Sequence, residues 1–413
     1  MEGIVLTNKQ EEGVRIAVAN YKLGKPYSII SGYAGAGKST LIKFIIEALH
    51  LNPEQVAYVA YTGKAANVLR QKGCPNATTA HRLLYWARPL PNGDFIFEPR
   101  RILEKRYKLI VVDEVSMLPQ NMWELLLSHK IHVLAAGDPG QLPPVDKEQK
   151  NNVLDNPDIF LDEIMRQAQE SAIIRLSMHI REGKDFRNFP TVSGEVRIVP
   201  HAADFYKNTE DYNACLLNAD QILCSTNKQR ENLNKMVRKI KGLPFEPQIG
   251  DKVIGLTNHW DFLSSNYNPL TNGTIGTLQN FEIINQFYPK FLNFPNSQIM
   301  LSQIKAEDEE MFFNVPIDYK FITTNEMSLQ PKQIYKLSKF MQNSKLLTYD
   351  RYYIPYDFTY AYAITVWKAQ GSQWDYILCF DGTWLKHKEP KEYRQYLYTA
   401  VTRAVKSVIL VGD

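Results

Sequence analysis

One stretch limits what this chain can become: Ser31-Gly32-Tyr33-Ala34-Gly35-Ala36-Gly37-Lys38-Ser39-Thr40. It follows a short apolar run, Tyr27-Ser28-Ile29-Ile30. It precedes Leu41-Ile42-Lys43-Phe44-Ile45-Ile46-Glu47-Ala48-Leu49, where Leu41, Phe44, Ile45 and Leu49 share one helical face. Strand, glycine loop and helix in that order are the setting a phosphate-binding loop requires. Gly32, Gly35 and Gly37 let the backbone wrap round phosphate oxygens, and the loop amides and helix N-terminus then face the anion. In such a loop Lys38 reaches the β- and γ-phosphates, and the Ser39 hydroxyl completes a Mg²⁺ shell. An ordinary glycine-rich turn does not account for the whole GxxxxGK[ST] pattern with both flanks in place.

Other segments read as further strands of the same sheet. Val56-Ala57-Tyr58-Val59-Ala60-Tyr61 is a buried strand running into Thr62-Gly63-Lys64, a second helix start able to hold a phosphate of a different ligand. Leu109-Ile110-Val111-Val112 is a buried parallel strand, with Asp113-Glu114 at its carboxyl end, where open α/β sheets bind ligands. Asp113 suits Mg²⁺ coordination, and Glu114 suits orienting or deprotonating an attacking water. A third strand, Ile131 to Ala136, ends in Gly137-Asp138-Pro139-Gly140-Gln141, which brings Gln141 near a γ-phosphate.

Three features beside these strands stay open on the residues alone. Thr7 caps a predicted helix with Val14, Ala17 and Val18 on one face, and Gln10 within it either meets an adenine edge or is solvated. Thr78 and Thr79, followed by His81, either cap a helix or hold a ligand. Arg88 to Pro99 predicts a β-hairpin around Asn92-Gly93, with Phe95 and Phe97 on one side as a stacking surface or a satellite core.

In the second half, Leu161 to Gln167 predicts the start of a helix continuing to about Arg181. Arg166 alone is no different from a solvated helical arginine. Gln221 to Arg230 is a strand running into a helix, with Thr226 and Asn227 at its start and no second glycine-rich loop. From about Ile249 the composition shifts to β-strands around tight turns, followed by a helix near Lys332 to Leu347. The α/β character returns from Tyr360, with a strand at Tyr376 to Phe380, a helix holding Leu397 to Ala404, and a last buried strand. The expected class is α/β, with two lobes of parallel sheet flanked by helices, of which only the first binds nucleotide.

Composition is compatible with this and decides less. The chain has 413 residues, enough for two or three domains, with 44% hydrophobic and 22% charged residues, as in soluble globular proteins. No apolar run is long enough to span a bilayer. The amino terminus lacks the layout of a signal peptide, so a cytosolic location is expected, in its own cell or a host. Cys74, Cys215, Cys224 and Cys379 are far apart and read as buried thiols. A net charge of +4 permits nucleic-acid binding without announcing it.

Taken in order, GYAGAGKST, VAYTGKAA, VVDEVSM, GDPGQLPPV, the Arg166 region, STNKQREN, TVWKAQG and LYTAVTRA resemble the superfamily-1 DNA helicases, nearest to the RecD and Dda branch. The resemblance covers nearly the whole chain. It implies two RecA-like lobes, with residues 1–165 as the first and 166–248 with 357–413 as the second. Residues 249–356 would form an inserted SH3-like β domain with a helical hook, and a strand-splitting pin hairpin would lie at about 86–104. It implies ATP with Mg²⁺, DNA-stimulated hydrolysis, 5′→3′ movement on single-stranded DNA, and unwinding in replication, recombination or repair. The partners implied are single-stranded DNA and forks, with a single-stranded-DNA-binding protein or other replication or recombination proteins possible, no membrane, and action as a monomer.

Carried over residue by residue, Gln10 would contact adenine, and Gly32, Ala34, Gly35, Ala36, Gly37, Lys38, Ser39, Thr40 and Gly371 would hold the nucleotide. Ser39 and Asp113 would bind Mg²⁺, Glu114 would activate water, Gln141 would sense the γ-phosphate, and Arg166 and Arg403 would stabilise transition-state charge. DNA would lie on Thr62, Lys64, Thr79, His81, Phe95, Phe97, Thr226, Asn227, Thr365, Trp367 and Lys368. Trp367 stands where the family usually places His, so it either stacks on a base or packs between lobes. A nucleotide-dependent DNA-binding switch that hydrolyses ATP without unwinding is the alternative, separable by a strand-displacement assay. A small-molecule kinase leaves the second lobe and Arg403 unexplained.

Overall fold

Alternation along Leu109–Val112 shows how the first sheet is buried. Leu109 and Val111 pack with Ile30, Leu41 and Ile45, whereas Ile110 and Val112 pack with Ile29, Leu84 and Trp123. Successive side chains enter opposite faces, and both faces are covered, so a strand buried on two sides needs an unbroken apolar run. The computed structural model describes residues 5–71, 73–74, 76–89, 95–104, 106–143, 151–164, 170–257, 259–265, 269–307, 310–343 and 352–412.

The first sheet has six strands, in the order Thr78–Thr79, Val56–Ala60, Leu109–Val112, His132–Gly137, Tyr27–Gly32 and Ile159–Leu161. All its pairings are parallel. The strand feeding the glycine loop and the strand ending in Asp113-Glu114 therefore flank His132–Gly137, which carries the Gln141 loop. Ile159–Leu161 differs from the expected helix start at Leu161. Ile30 pairs with Ile159 and Gly32 with Leu161, so Leu161 closes a strand, and the helix Ala172–Arg181 lies further along the chain. Buried Ile159 and Leu161 serve the sheet better than a helix face.

The second sheet has five parallel strands, Ala363–Thr365, Gln221–Cys224, Trp374–Phe380, Ala404–Val411 and Val196–Val199. A separate antiparallel sheet runs Met311–Asp318, Ser297–Ala306, Ile275–Gln286, Lys252–Gly255 and Phe358–Tyr360. Its last strand lies just beyond residue 357, the boundary expected from sequence, because Val253–Gly255 needs a second hydrogen-bonding neighbour. Arg238 and Asp251, paired at 3.0 Å and both buried, tie this sheet to the Asn227–Ile240 helix. Tyr85–Pro89 and Phe95–Pro99 form the hairpin, and its Asn92-Gly93 turn lies outside the described residues. Among the described residues no helix is long and apolar enough to cross a membrane.

Candidate nucleotide site and nucleic-acid interface

The glycine loop closes between Tyr27–Gly32 and the helix Lys38–Ala48. Gly35 and Gly37 take φ values of 78° and 81°, a left-handed backbone that a side chain would strain. At Gly32 a Cβ would lie 2.9 Å from the Leu161 carbonyl oxygen. Lys38 Nζ donates to Gly32 O at 2.7 Å and Tyr33 O at 3.0 Å, so its charge is held over the loop mouth. Ser39 and Thr40 occupy the first turn of the helix. Gln10 is 1% exposed and bound to backbone: its Oε1 accepts from Thr7 N at 3.1 Å, and its Nε2 donates to Ala36 O at 3.3 Å.

Asp113 and Glu114 follow Leu109–Val112, as the sequence requires. Glu114 has φ 51°, an uncommon backbone for a residue with a side chain, and its N–H donates to Asp113 Oδ1 at 3.1 Å. Burial raises the Glu114 carboxyl above its ordinary range against the pull of Arg403, with Asp113 adding to the rise. Arg403 Nη1 lies 3.7 Å from Glu114 Oε1. Glu114 Oε2 and the Gln141 amide oxygen are buried with no hydrogen-bond partner among the described residues.

Arg403 comes from the second lobe and is 4% exposed. Thr399 O, Ser372 O and Thr402 Oγ1 accept from its guanidinium at 3.1, 3.3 and 3.2 Å, which fixes the fork toward Glu114. Gly371 has φ 75°, and a Cβ there would meet Ala65 Cβ at 3.0 Å, so the second lobe abuts the Gly63–Gln71 helix. Arg166 lies outside the described residues. Sequence reasoning missed Arg181, whose guanidinium sits 3.5 Å over the Tyr33 ring with Nη1 buried and unpartnered among the described residues. No local pattern marks it, because the contact joins residues far apart in the chain.

The four threonines share one placement. Thr62, Thr79, Thr226 and Thr365 each stand between the end of a parallel strand and the start of a helix. Thr62 Oγ1 accepts from Ala65 N at 3.2 Å, Thr79 Oγ1 from Arg82 N at 3.2 Å and Thr226 Oγ1 from Gln229 N at 3.1 Å. Thr365 makes no side-chain cap bond. Thr62 and Thr79 end neighbouring strands of the first sheet, and Thr226 and Thr365 do the same in the second. Asn227 opens its helix, and Lys64 is the second residue of Gly63–Gln71, although its side chain lies outside the described ones. Lys368 donates to Asn272, and burial lowers its pKa, with Arg230 adding to the effect. Trp367 packs on the second-lobe core, 5.7 Å from the Tyr396 ring. His81 stands between Tyr61 and Tyr85 at 5.9 and 6.1 Å, and burial lowers its pKa. Phe95 pairs with Pro89 and Phe97 with Ala87 in the hairpin register, and the two phenyl side chains lie outside the described ones.

A phosphate loop in one parallel-sheet lobe, met by an arginine from a second such lobe, defines a two-lobed nucleotide-binding chain. A family model described as an AAA domain matches residues 5–199, and one described as a UvrD-like helicase C-terminal domain matches residues 360–411. The ATP-dependent RecD2 DNA helicase of Deinococcus radiodurans is 27% identical over 396 residues, covering 94% of this chain and 47% of that protein. The ATP-dependent DNA helicase dda of Enterobacteria phage T4 is 25% identical over 251 residues, 57% of each. The chain thus spans about half the length of these curated relatives. A structure from work on forked DNA unwinding by two coordinating Pif1 helicases superposes with a TM-score of 0.51 at 17% identity, covering 98% of this chain and 92% of that one. Bacteroides Pif1 bound to single-stranded DNA gives 0.50 at 17% identity, with coverage of 98% and 92%. These two likenesses establish the fold, two RecA-like lobes. The chain is similar to superfamily-1 helicases of the RecD and Dda kind, the likeness its ordered motifs carry.

Proposed function

We propose that this chain is an ATP-driven motor that moves along single-stranded DNA and separates duplex strands. The observation that carries this is the Arg403–Glu114 contact, which makes one hydrolytic site out of two lobes. Lys38 and the loop amides bind the phosphates. The Glu114 carboxylate takes a proton from the attacking water, and Arg403 meets charge on the γ-phosphoryl group. Gln141, its amide oxygen unpartnered among the described residues, orients water or reports the γ-phosphate. The residues fit Mg²⁺: the Ser39 hydroxyl and the Asp113 carboxylate are hard oxygen donors beside the loop, and the ion would neutralise phosphate charge there.

Because catalysis needs groups from both lobes, each hydrolysis step changes how the lobes meet. The threonine-headed helix starts on each sheet present hydroxyls and amides suited to a phosphate backbone, so lobe movement becomes movement along a strand. RecD2 and Dda carry helicase names, one Pif1 structure is bound to single-stranded DNA and another comes from work on unwinding at forked DNA, which supports the same substrate for this chain. The test is strand displacement on a fluorescent fork with ATP and Mg²⁺. ATP-dependent release of the labelled strand is expected. ATP turnover without release would leave the nucleotide-dependent switch in its place.

A further inference from the structure

The helix Pro390–Val401, which leads into Arg403, touches the Gln141 loop repeatedly. Gln395 Nε2 donates to Pro139 O at 3.4 Å, the Tyr398 hydroxyl donates to Asp138 Oδ2 at 2.7 Å, and Thr399 Oγ1 accepts from Leu142 N at 2.9 Å. Gln370 Nε2 adds a bond to Leu142 O at 2.7 Å. Tyr398 alone among these reaches a second first-lobe loop, since its oxygen accepts the Ala34 N–H at 2.8 Å. Ala34 belongs to the phosphate loop, whose amides the sequence arranges for anions. Tyr398 is 1% exposed, and burial keeps its phenol neutral, so one oxygen donates and accepts together. The ring is closely fitted as well: a Cβ on Gly140 would lie 3.0 Å from Tyr398 Cε1.

We propose that Tyr398 is a positioning residue for ATP hydrolysis, its hydroxyl setting the Gln141 loop against the phosphate loop from the second lobe. This rests on the motor reading above. A hydroxyl bonded to Ala34 on one side and Asp138 on the other fixes two loops relative to each other, whereas a phenyl ring fixes neither. Nucleotide affinity comes chiefly from Lys38 and the amides around Gly35 and Gly37. What Tyr398 sets is where Gln141 stands when the phosphoryl bond breaks. Its loss therefore belongs in kcat rather than in KM.

The experiment measures steady-state ATP hydrolysis by the full chain with saturating oligothymidylate and Mg²⁺. It compares wild type, Tyr398→Phe, Asp138→Asn and the double variant. Asn replaces one carboxylate oxygen with a donor, so it cannot serve both Tyr398 and the Gly140 N–H that Asp138 Oδ1 accepts at 2.9 Å. Tyr398→Phe should lower kcat roughly tenfold or more while KM for ATP moves less than about threefold. The double variant should be no worse than the weaker single variant, because the two residues act as one unit. Unchanged kcat in Tyr398→Phe, an equal rise in KM, or additive losses each overturn the assignment. If Tyr398→Phe does not fold, Asp138→Asn alone must show the same split, and its failure to do so counts against the assignment equally. Absence of hydrolysis in folded wild type removes the motor reading and this role together. An unimpaired Tyr398→Phe beside an active wild type removes the role alone.

Discussion

Glu114 combines a left-handed φ, a buried oxygen unpartnered among the described residues and a raised carboxyl pKa, costs that a residue of packing alone has no reason to carry. Glu114→Gln should retain ATP binding and lose hydrolysis by roughly 10²–10⁴-fold, the usual weight of a general base. Fluorescent-nucleotide titration beside turnover assays checks this, and wild-type turnover in the variant would move the base elsewhere. Only the carboxylate can take a proton. With its pKa raised, wild-type kcat should therefore fall on acidification at a higher pH than an ordinary glutamate would give. The placement of Lys38, Asp113, Glu114 and Gln141 at the ends of parallel strands was readable from sequence, because each stands within a few residues of an apolar strand run. Tyr398 and Arg181 were not, since their partners Ala34, Asp138 and Tyr33 lie far off in the chain. Gln10 was open between an adenine edge and solvent, and Thr79 between ligand and cap; Gln10 is buried on backbone ties, and Thr79 caps its helix.

At the scale of elements, the hairpin Tyr85–Pro89 with Phe95–Pro99 stands outside both parallel sheets, where a wedge would have to be. The Phe95→Ala, Phe97→Ala double variant should unwind a fork more slowly while hydrolysing ATP at nearly the wild-type rate. Equal unwinding would show that the hairpin is not the wedge. The inserted sheet makes a separate prediction about stability. Burial, with Asp318 adding to it, pushes the Asp357 carboxyl up to about 6 from 3.8. A raised folded-state value means stability that is full below the unfolded value and lost as pH rises through about 6. Asp357→Asn should therefore stabilise the protein above neutrality by on the order of 1 kcal/mol, after discounting partial exposure, and not at pH near 4. Thermal melts at both pH values decide, and a variant less stable than wild type at alkaline pH would contradict the linkage. Elements with uniform buried runs were readable from sequence. Ile159–Leu161 was not, because three residues show no period and only pairing with Tyr27–Gly32 makes them a strand.

The whole molecule raises a question that neither lobe answers alone, the direction of travel. Two parallel-sheet lobes can ratchet either way along a strand, so polarity has to come from what is added to them. The UvrD-like branch of the resembled helicases, which moves 3′→5′, carries large helical insertions in both lobes. Here the first lobe carries a two-stranded hairpin between Tyr85 and Pro99, and the second an insertion built on a five-stranded antiparallel sheet. The UvrD-like family match covers only residues 360–411, the end of the second lobe, and says nothing about the insertions. The RecD2 likeness extends over 94% of the chain, insertions included. We therefore expect 5′→3′ movement, in keeping with the RecD and Dda branch. Binding to the tail should weaken steeply with salt, because each phosphate contact releases counterions. The measurement is unwinding of partial duplexes with either a 5′ or a 3′ single-stranded tail, at one fixed salt concentration with ATP and Mg²⁺. Faster release from the 5′-tailed substrate is the expected outcome. Preferential release from the 3′-tailed substrate would overturn the branch assignment and leave the motor intact, since the Arg403–Glu114 site serves either direction.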